Sequence, residues 1–150
     1  MHLKIPPPII GLLSALAIGG LHKVFTGLSL SFPFQTALAV LVAATGLVFD
    51  LTALRSFLKQ KTTVDPRKPD HSSALVTNGV YRISRNPMYL GLLLLLTAWT
   101  IYLGTPLGAF VLIAFVIYLT EFQIRPEEKI LREKFGADFG AYCEAVRRWM

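Results

Sequence analysis

Hydrophobic and polar positions in this chain are sorted into blocks rather than interleaved. Residues 5–22, 24–49 and 86–120 contain no Lys, Arg, Asp or Glu, and Lys23 alone separates the first two runs. A helix crossing the hydrocarbon layer needs about 20 mostly apolar residues, so the blocks predict membrane spans. Pro6 to Pro8 suit a helix start, where a missing amide proton costs little, and they set the first span near 7–24. "TGLSLSFP" (26–33) reads as a turn punctuated by Gly27 and Pro33, with a second span near 34–54. The third block is long enough for two short helices. "LGTPLG" (103–108) divides it into spans near 87–103 and 106–124, a tight helical hairpin. At 1.5 Å per residue, 88–103 would reach only about 24 Å, barely across the hydrocarbon unless tilted. The expected fold class is all-α and membrane-integral: one domain over 1–150, with about four transmembrane helices and a C-terminal helical tail.

The polar segments set the orientation. Segment 55–86 holds Arg55, Lys59, Lys61, Arg67, Lys68, Arg82 and Arg85 against Asp65 and Asp70. The tail 125–150 holds Arg125, Lys129, Arg132, Lys134, Arg147 and Arg148. Because basic residues stay on the cytoplasmic side, loop 55–86, the tail and the N-terminus are all expected there.

Composition agrees. At 53% hydrophobic, with a mean hydropathy of +0.54, the chain is too apolar for an ordinary soluble domain. Its net charge of +6 needs no nucleic acid partner, since anionic lipid suffices. Chain length beside a four-span plan points to a prokaryotic inner membrane. The first run is not expected to be a cleaved signal, because Lys4 is its only n-region charge and no small-x-small site follows. Cys143, the single cysteine, excludes an internal disulfide and a multi-cysteine zinc site, and no metal is expected. His2, His22 and His71 read as incidental.

Two polar segments invite a functional reading. Loop 55–86 exceeds the length at which structureless loops are common. The tail carries Leu131, Phe135, Phe139, Tyr142, Val146 and Trp149 at steps of three or four, an apolar stripe expected to lie on the membrane or to cap the protein's own mouth. Gly136 and Gly140 are expected to break that helix.

"GVYRISRNPMYLG" (79–91) stands where loop meets hairpin. Asn86 and Pro87 form an N-cap and N1 pair, predicting a helix start whose free amides and dipole suit a carboxylate or phosphate. Arg82 and Arg85 add donors; Tyr81 and Tyr89 add aromatic faces. The same residues also fit an interfacial belt of aromatics and snorkelling arginines. In "EFQIRPEEKIL" (121–131), Glu127 and Glu128 follow Pro126 and fall in a first helical turn, where the dipole alone would explain them. The hairpin returns to its starting side, so both clusters share one membrane face. Arginines at a helix start opposite paired carboxylates suit a zwitterion.

These motifs resemble the isoprenylcysteine carboxyl methyltransferase family and the related membrane phospholipid methyltransferases. The family pattern is roughly Gly-x-Tyr, Arg-His-Pro-x-Tyr, a short hairpin, paired glutamates, then Phe-Gly and a tyrosine-containing stretch ending in basic residues. Here it reads "GVYRISRNPMY" (79–89), "PEEKIL" (126–131), "KFGADFGAY" (134–142) and "VRRW" (146–149), covering about 75–149. The resemblance implies an S-adenosyl-L-methionine-dependent methyltransferase without a Rossmann domain, its cofactor in a cytoplasmic pocket roofed by the tail. No G-x-G-x-x-G is present, as that implies. Carried over by position, the implied cofactor-binding residues are Ser73, Ala74, Leu75, Val76, Tyr81, Asn86, Pro87, Met88, Tyr89, Glu127 and Glu128. Arg85, Asn86 and Glu127 are the implied catalytic group, and Gln123 and Arg125 mark the substrate side.

Two departures matter. Asn86 replaces the family's histidine, keeping hydrogen bonding but not proton shuttling near pH 7. Gln123 stands where isoprenylcysteine enzymes tend to carry an arginine, and Arg125 lies about 200° round the helix from it.

Methyl transfer from a sulfonium depends on alignment and desolvation. A carboxylate or thiolate needs no base and a primary amine does, so an anionic or neutral nucleophile is expected. It would sit on a lipophilic or prenylated substrate entering from the bilayer between hairpin and second span. No obligatory protein partner is implied; membrane lipids are. Alternatives are phospholipid amine methylation, a non-catalytic cofactor-binding membrane module, or a transporter. The last is disfavoured because Asp50 and Glu121 lie near span ends.

Overall fold

The computed structural model describes residues 5–59 and 75–150, and all its regular structure there is helical. Helix α1 spans Pro7–Val24 and α2 spans Gln35–Lys59, so the second helix runs past its expected end near 54. Helix α3 is Pro87–Leu103 and α4 is Gly108–Leu119. A π-turn, Thr120–Ile124, then leads directly into α5, Arg125–Ala145. Three helical stretches are long and apolar enough to cross a membrane (Pro7–Val24, Gln35–Ser56 and Gly108–Ala145), while α3 is a shorter apolar helix. Their outer faces are apolar: Leu12, Leu16, Val40, Leu41, Phe110 and Ile117 are all exposed, the inverse of a water-soluble fold. Thr45, Thr97 and Thr100 turn their hydroxyls back onto carbonyls one turn earlier, so these polar atoms are satisfied inside their own helices.

Helices α2 and α3 pack against each other, with glycines at their closest approach. A Cβ on Gly46 would stand 2.8 Å from the Gly91 carbonyl oxygen, and one on Gly91 would meet that of Gly46 at 2.8 Å. Small residues permit this approach, and in lipid such packing replaces the hydrophobic drive that water supplies. The seam expected to admit an acceptor is therefore shut at this level. An open apolar groove lies instead between α3 and α4, lined by Leu93, Thr97, Leu112, Ile113, Val116 and Ile117.

At one end of the bundle the turns are tied together. Gly104 adopts φ 61°, the left-handed conformation that closes α3, and a side chain there would strike the Leu30 carbonyl. Leu30 N donates to Gly104 O at 2.7 Å, and Gln35 Nε2 donates to Ile101 O at 2.7 Å. Two separate hydrophobic clusters hold the rest together. Ile18, Tyr89, Leu96, Phe115, Leu119 and Ile124 fill the bundle between α1, α3 and α4. Ala53, Val76, Tyr81, Phe139, Tyr142 and Val146 join α2, the 75–86 segment and α5. The tail stripe is thus folded onto the protein, capping the end that carries Arg85. Gly136 breaks α5 into two pieces (φ 51°, ψ −120°), while Gly140 stays helical.

Candidate functional site

Pro126 has no amide proton, and its ring crowds the carbonyl a turn earlier. The π-turn just before it takes up that conflict, so the chain passes from α4 to α5 without stopping. Glu127 and Glu128 therefore project from a continuous rod and not from the start of a separate helix. Across from them, the 3₁₀ turn Gly79–Arg82 and the start of α3 present Tyr81, Arg85, Asn86 and Tyr89.

The two clusters meet. Tyr89 donates its hydroxyl proton to Glu127 Oε1 at 2.6 Å, and Gln123 Nε2 donates to the same oxygen at 3.0 Å. Arg85 Nη2 lies 3.2 Å from Glu128 Oε1. Arg148 grips Glu128 with two bonds, Nε to Oε1 at 3.0 Å and Nη2 to Oε2 at 2.6 Å. A planar guanidinium holding both oxygens is a strong and directional pair. That pairing also raises the Arg148 pKa above its ordinary value.

Charge and burial treat the two glutamates differently. Burial pushes the Glu127 carboxyl up to about 8, against the opposing bonds from Tyr89 and Gln123 and with help from the charge on Glu128. Glu127 therefore holds its proton more tightly than an exposed carboxyl does, while Glu128 sits between two guanidiniums. Burial likewise lifts the phenol of Tyr81, which then stays neutral at any physiological pH. One polar atom in this network has no partner among the described residues: Arg85 Nε, fully buried and without an acceptor. A buried donor left unmet costs about 1–3 kcal/mol, so Arg85 is incomplete as it stands.

Asn86 departs from its expected role. It stands at the N-cap position of α3, yet its side chain makes no cap bond; its Nδ2 donates to Arg148 O at 2.9 Å. The tail explains the change. Arg85 N donates to Arg147 O at 3.0 Å, Ser84 Oγ to Arg148 O at 3.3 Å, and Trp149 Nε1 to Thr120 Oγ1 at 3.1 Å. Tyr142 donates its hydroxyl to the Tyr81 carbonyl at 2.7 Å. Residues 147–149 thus form a strap over the helix start, competing with it for Asn86.

The remaining expected residues divide. Val76 is buried beside Tyr81, with Leu75 and Met88 packed on the same cluster. Pro87 begins α3 and is buried. Gln123 is buried and joins the site through Glu127. Arg125 does not join it: its guanidinium pairs with Glu121 at 2.6 Å on the exposed face. Ser73 and Ala74 lie outside the described residues. Sequence reasoning missed Ser84, Arg148 and Thr120 as structural partners. Only the match of "VRRW" to a family motif pointed toward Arg148, and nothing local marked the other two.

The arrangement offers a buried carboxyl, a clamped carboxylate and a guanidinium with one unpartnered N–H, all at one helix start. The phospholipid methyltransferase family model matches residues 34–138. An uncharacterized protein of Haemophilus influenzae is 46% identical over 63 residues, 42% of this chain and the whole of that protein. Protein-S-isoprenylcysteine O-methyltransferases B and A of Arabidopsis thaliana are 34% and 33% identical over 99 residues, 64% of this chain in each case. The chain spans 47% of the length of each plant relative. No solved structure matches it.

Proposed function

The chain belongs to the phospholipid methyltransferase family, and from that premise we propose that it transfers a methyl group from S-adenosyl-L-methionine to a lipophilic acceptor at the membrane face. The observation that carries the proposal is the buried Arg85 Nε–H, which has no acceptor among the described residues and stands at the α3 start opposite two carboxyl groups. A methionine-type end carries a carboxylate and an ammonium. Arg85 and the α3 amides would hold the first, and Glu127 with Glu128 the second. Leu75, Val76, Tyr81 and Met88 would wall the adenosine side, with the tail as roof. When bound, S-adenosyl-L-methionine supplies an electrophilic methyl carbon on a sulfonium.

The chain's own residues then position and shield. Tyr89 and Gln123 fix the Glu127 carboxyl. A cation beside Glu127 favours its ionised form, so donor binding near neutral pH should release a proton from that carboxyl. The strap formed by 147–149 excludes water from the helix start, which strengthens every charge contact beneath it. Asn86, held by Arg148 O, orients the strap; it has no proton-shuttling role.

The membrane plan belongs to the same proposal: four spans, α3 being a short tilted one, with loop 55–86 and both termini cytoplasmic in a prokaryotic inner membrane. A carboxylate acceptor would find little here, since Arg125 is engaged by Glu121 and Gln123 by Glu127. That favours the phospholipid side of the family over the prenylcysteine side.

Calorimetry of the purified protein in lipid nanodiscs against S-adenosylhomocysteine tests the donor site directly. Saturable binding is expected, with transfer of labelled methyl to lipid from S-adenosyl-L-methionine. No binding under conditions where the protein is folded would sink the assignment.

A further inference from the structure

The end of the bundle away from the site is built from two turns, residues 25–34 and 104–107, which the machinery above does not use. Helix α1 has 18 residues and α3 has 17, about 27 Å and about 25 Å of rise. Both finish at this end, where Leu30 N donates to Gly104 O at 2.7 Å. The hydrocarbon layer is about 30 Å deep. With Pro87 at one edge of it, as the proposed membrane plan requires, Leu103 stops about 5 Å short of the other. Any tilt of α3 increases the shortfall.

The turns carry the surface of a lipid-facing element. Phe25, Leu28, Leu30, Phe32 and Phe34 are all exposed, Phe34 at 85%. Between residues 5 and 49 the only Lys, Arg, Asp or Glu is Lys23, whose apolar stem can carry its ammonium outward to headgroups. The main chain is arranged for a dry setting as well. Amides of Phe25, Leu28, Ser29 and Leu30 donate to the carbonyls of Leu21, Phe25, Thr26 and Gly104, and Phe32 N donates to Gln35 Oε1 at 3.3 Å. Gln35 Nε2 donates to the Ile101 and Tyr102 carbonyls at 2.7 and 3.2 Å, where α3 ends. Irregular backbone tolerates lipid only when its polar groups find partners within the protein. The backbone at Phe34 is also strained. Its φ of 62° is one that a bulky residue adopts only under constraint, and the Gln35 bonds to Phe32 and the α3 end supply that constraint. The strain leaves the Phe34 ring uncovered by the rest of the chain.

We propose that turns 25–34 and 104–107 lie beneath the headgroups of the leaflet opposite the site. Their phenylalanines and leucines bind the acyl chains of that leaflet and draw its headgroups inward, thinning the bilayer around the protein. The partner is the lipid layer itself, not a second copy of the chain or a soluble protein. The protein then shows water one broad face, the one that bears Arg85, Glu127 and Glu128. The proposal rests on the membrane plan and holds whatever the methyl acceptor is.

Depth measurements test it. Nitroxide labels are placed at Phe34→Cys, Leu28→Cys, Leu16→Cys and Lys129→Cys, each in a Cys143→Ser background, at positions exposed on the folded chain. Power-saturation spectra in phosphatidylcholine nanodiscs compare oxygen, which partitions into lipid, with a nickel chelate, which stays in water. Leu16 lies within α1 and serves as the lipid reference; Lys129 on α5 is the water reference. Labels at 34 and 28 are expected to show an oxygen-to-nickel response at least about fivefold above that at 129, rising from dimyristoleoyl to dierucoyl lipid. Responses at 34 and 28 equal to that at 129, with 16 still reading as lipid, would overturn the proposal and leave the membrane plan standing. A water-accessible label at 16 would remove both. The unmodified protein supplies a second reading, because acyl-diazirine phosphatidylcholine should crosslink to residues 25–34. Crosslinks to α1–α4 that spare 25–34 would overturn the proposal, as would labels shielded from both relaxants in a dimeric protein.

Discussion

The α1–α4 bundle and the cap built from segment 75–86 and α5 are held together by different physics. In the bundle, backbones approach through Gly46 and Gly91 and the surface turned outward is apolar. Packing alone decides its geometry. In the cap, main-chain carbonyls of Arg147 and Arg148 take donors from Ser84, Arg85 and Asn86, and a carboxylate sits between two guanidiniums. There, directional bonds decide. On the proposed function, the bundle would fix depth in the membrane and the cap would fix charge around a ligand.

Substitutions that touch one region should leave the other intact. The largest effect is expected from Glu127→Gln, which keeps an acceptor for Tyr89 but removes the charge offered to a ligand. S-adenosylhomocysteine affinity should fall about 100-fold, roughly 2.7 kcal/mol, with thermal stability little changed. Equal affinity in calorimetry would take Glu127 out of the site. Gly46→Leu should do the opposite, costing about 2 kcal/mol in a thermal or denaturant scan in detergent, because its Cβ would press on the Gly91 carbonyl oxygen at 2.8 Å. A neutral result would mean that α2 and α3 do not depend on that approach.

Arg148→Ala comes next. It strips two bonds from Glu128 and should weaken product binding about tenfold while speeding hydrogen exchange at residues 84–86. Unchanged exchange would show the strap to be held without it. pH gives a smaller and graded effect. The Glu127 carboxyl is raised from 4.5 to about 8 in the fold, so the folded protein binds the proton more tightly than the unfolded chain. Its contribution to stability is fully present below about 4.5 and declines as pH rises toward about 8, levelling above that. The melting temperature of wild type should drop more across that window than that of Glu127→Gln; parallel curves would refute the buried-acid picture. Arg125→Ala should change stability by less than about 0.5 kcal/mol, because its pair with Glu121 is solvent-exposed.

How much was legible in the sequence follows the same contrast. Hydropathy placed α1, α3 and the hairpin turn closely, since a bilayer imposes length and apolarity on every span. It ended α2 too early, because the helix continues into charged residues once it leaves the apolar layer. In the cap, the clusters around Arg85 and Glu127 were recognisable as motifs, and their shared side of the hairpin anticipated their meeting. The bond from Asn86 to a carbonyl 62 positions away was not legible, because nothing local to Asn86 signals a competitor for its side chain. Asn-Pro at a helix start speaks for a cap, and the strap overrides it. Asp50 was noticed only as a charge near a span end. That Gly91 leaves room for its carboxyl is visible only once α2 and α3 are laid together.

The unbroken passage from α4 through the π-turn into α5 has a mechanical consequence. With α4 in the bilayer and α5 outside it, as proposed, the pair would act as a lever that transmits tilt from one medium to the other. When the lipid layer thins or thickens, the immersed arm must lean differently, and the two acidic side chains just past the boundary swing with it. Acyl-chain length should therefore tune how well those side chains meet Arg85, making the enzyme responsive to the very material it is proposed to modify.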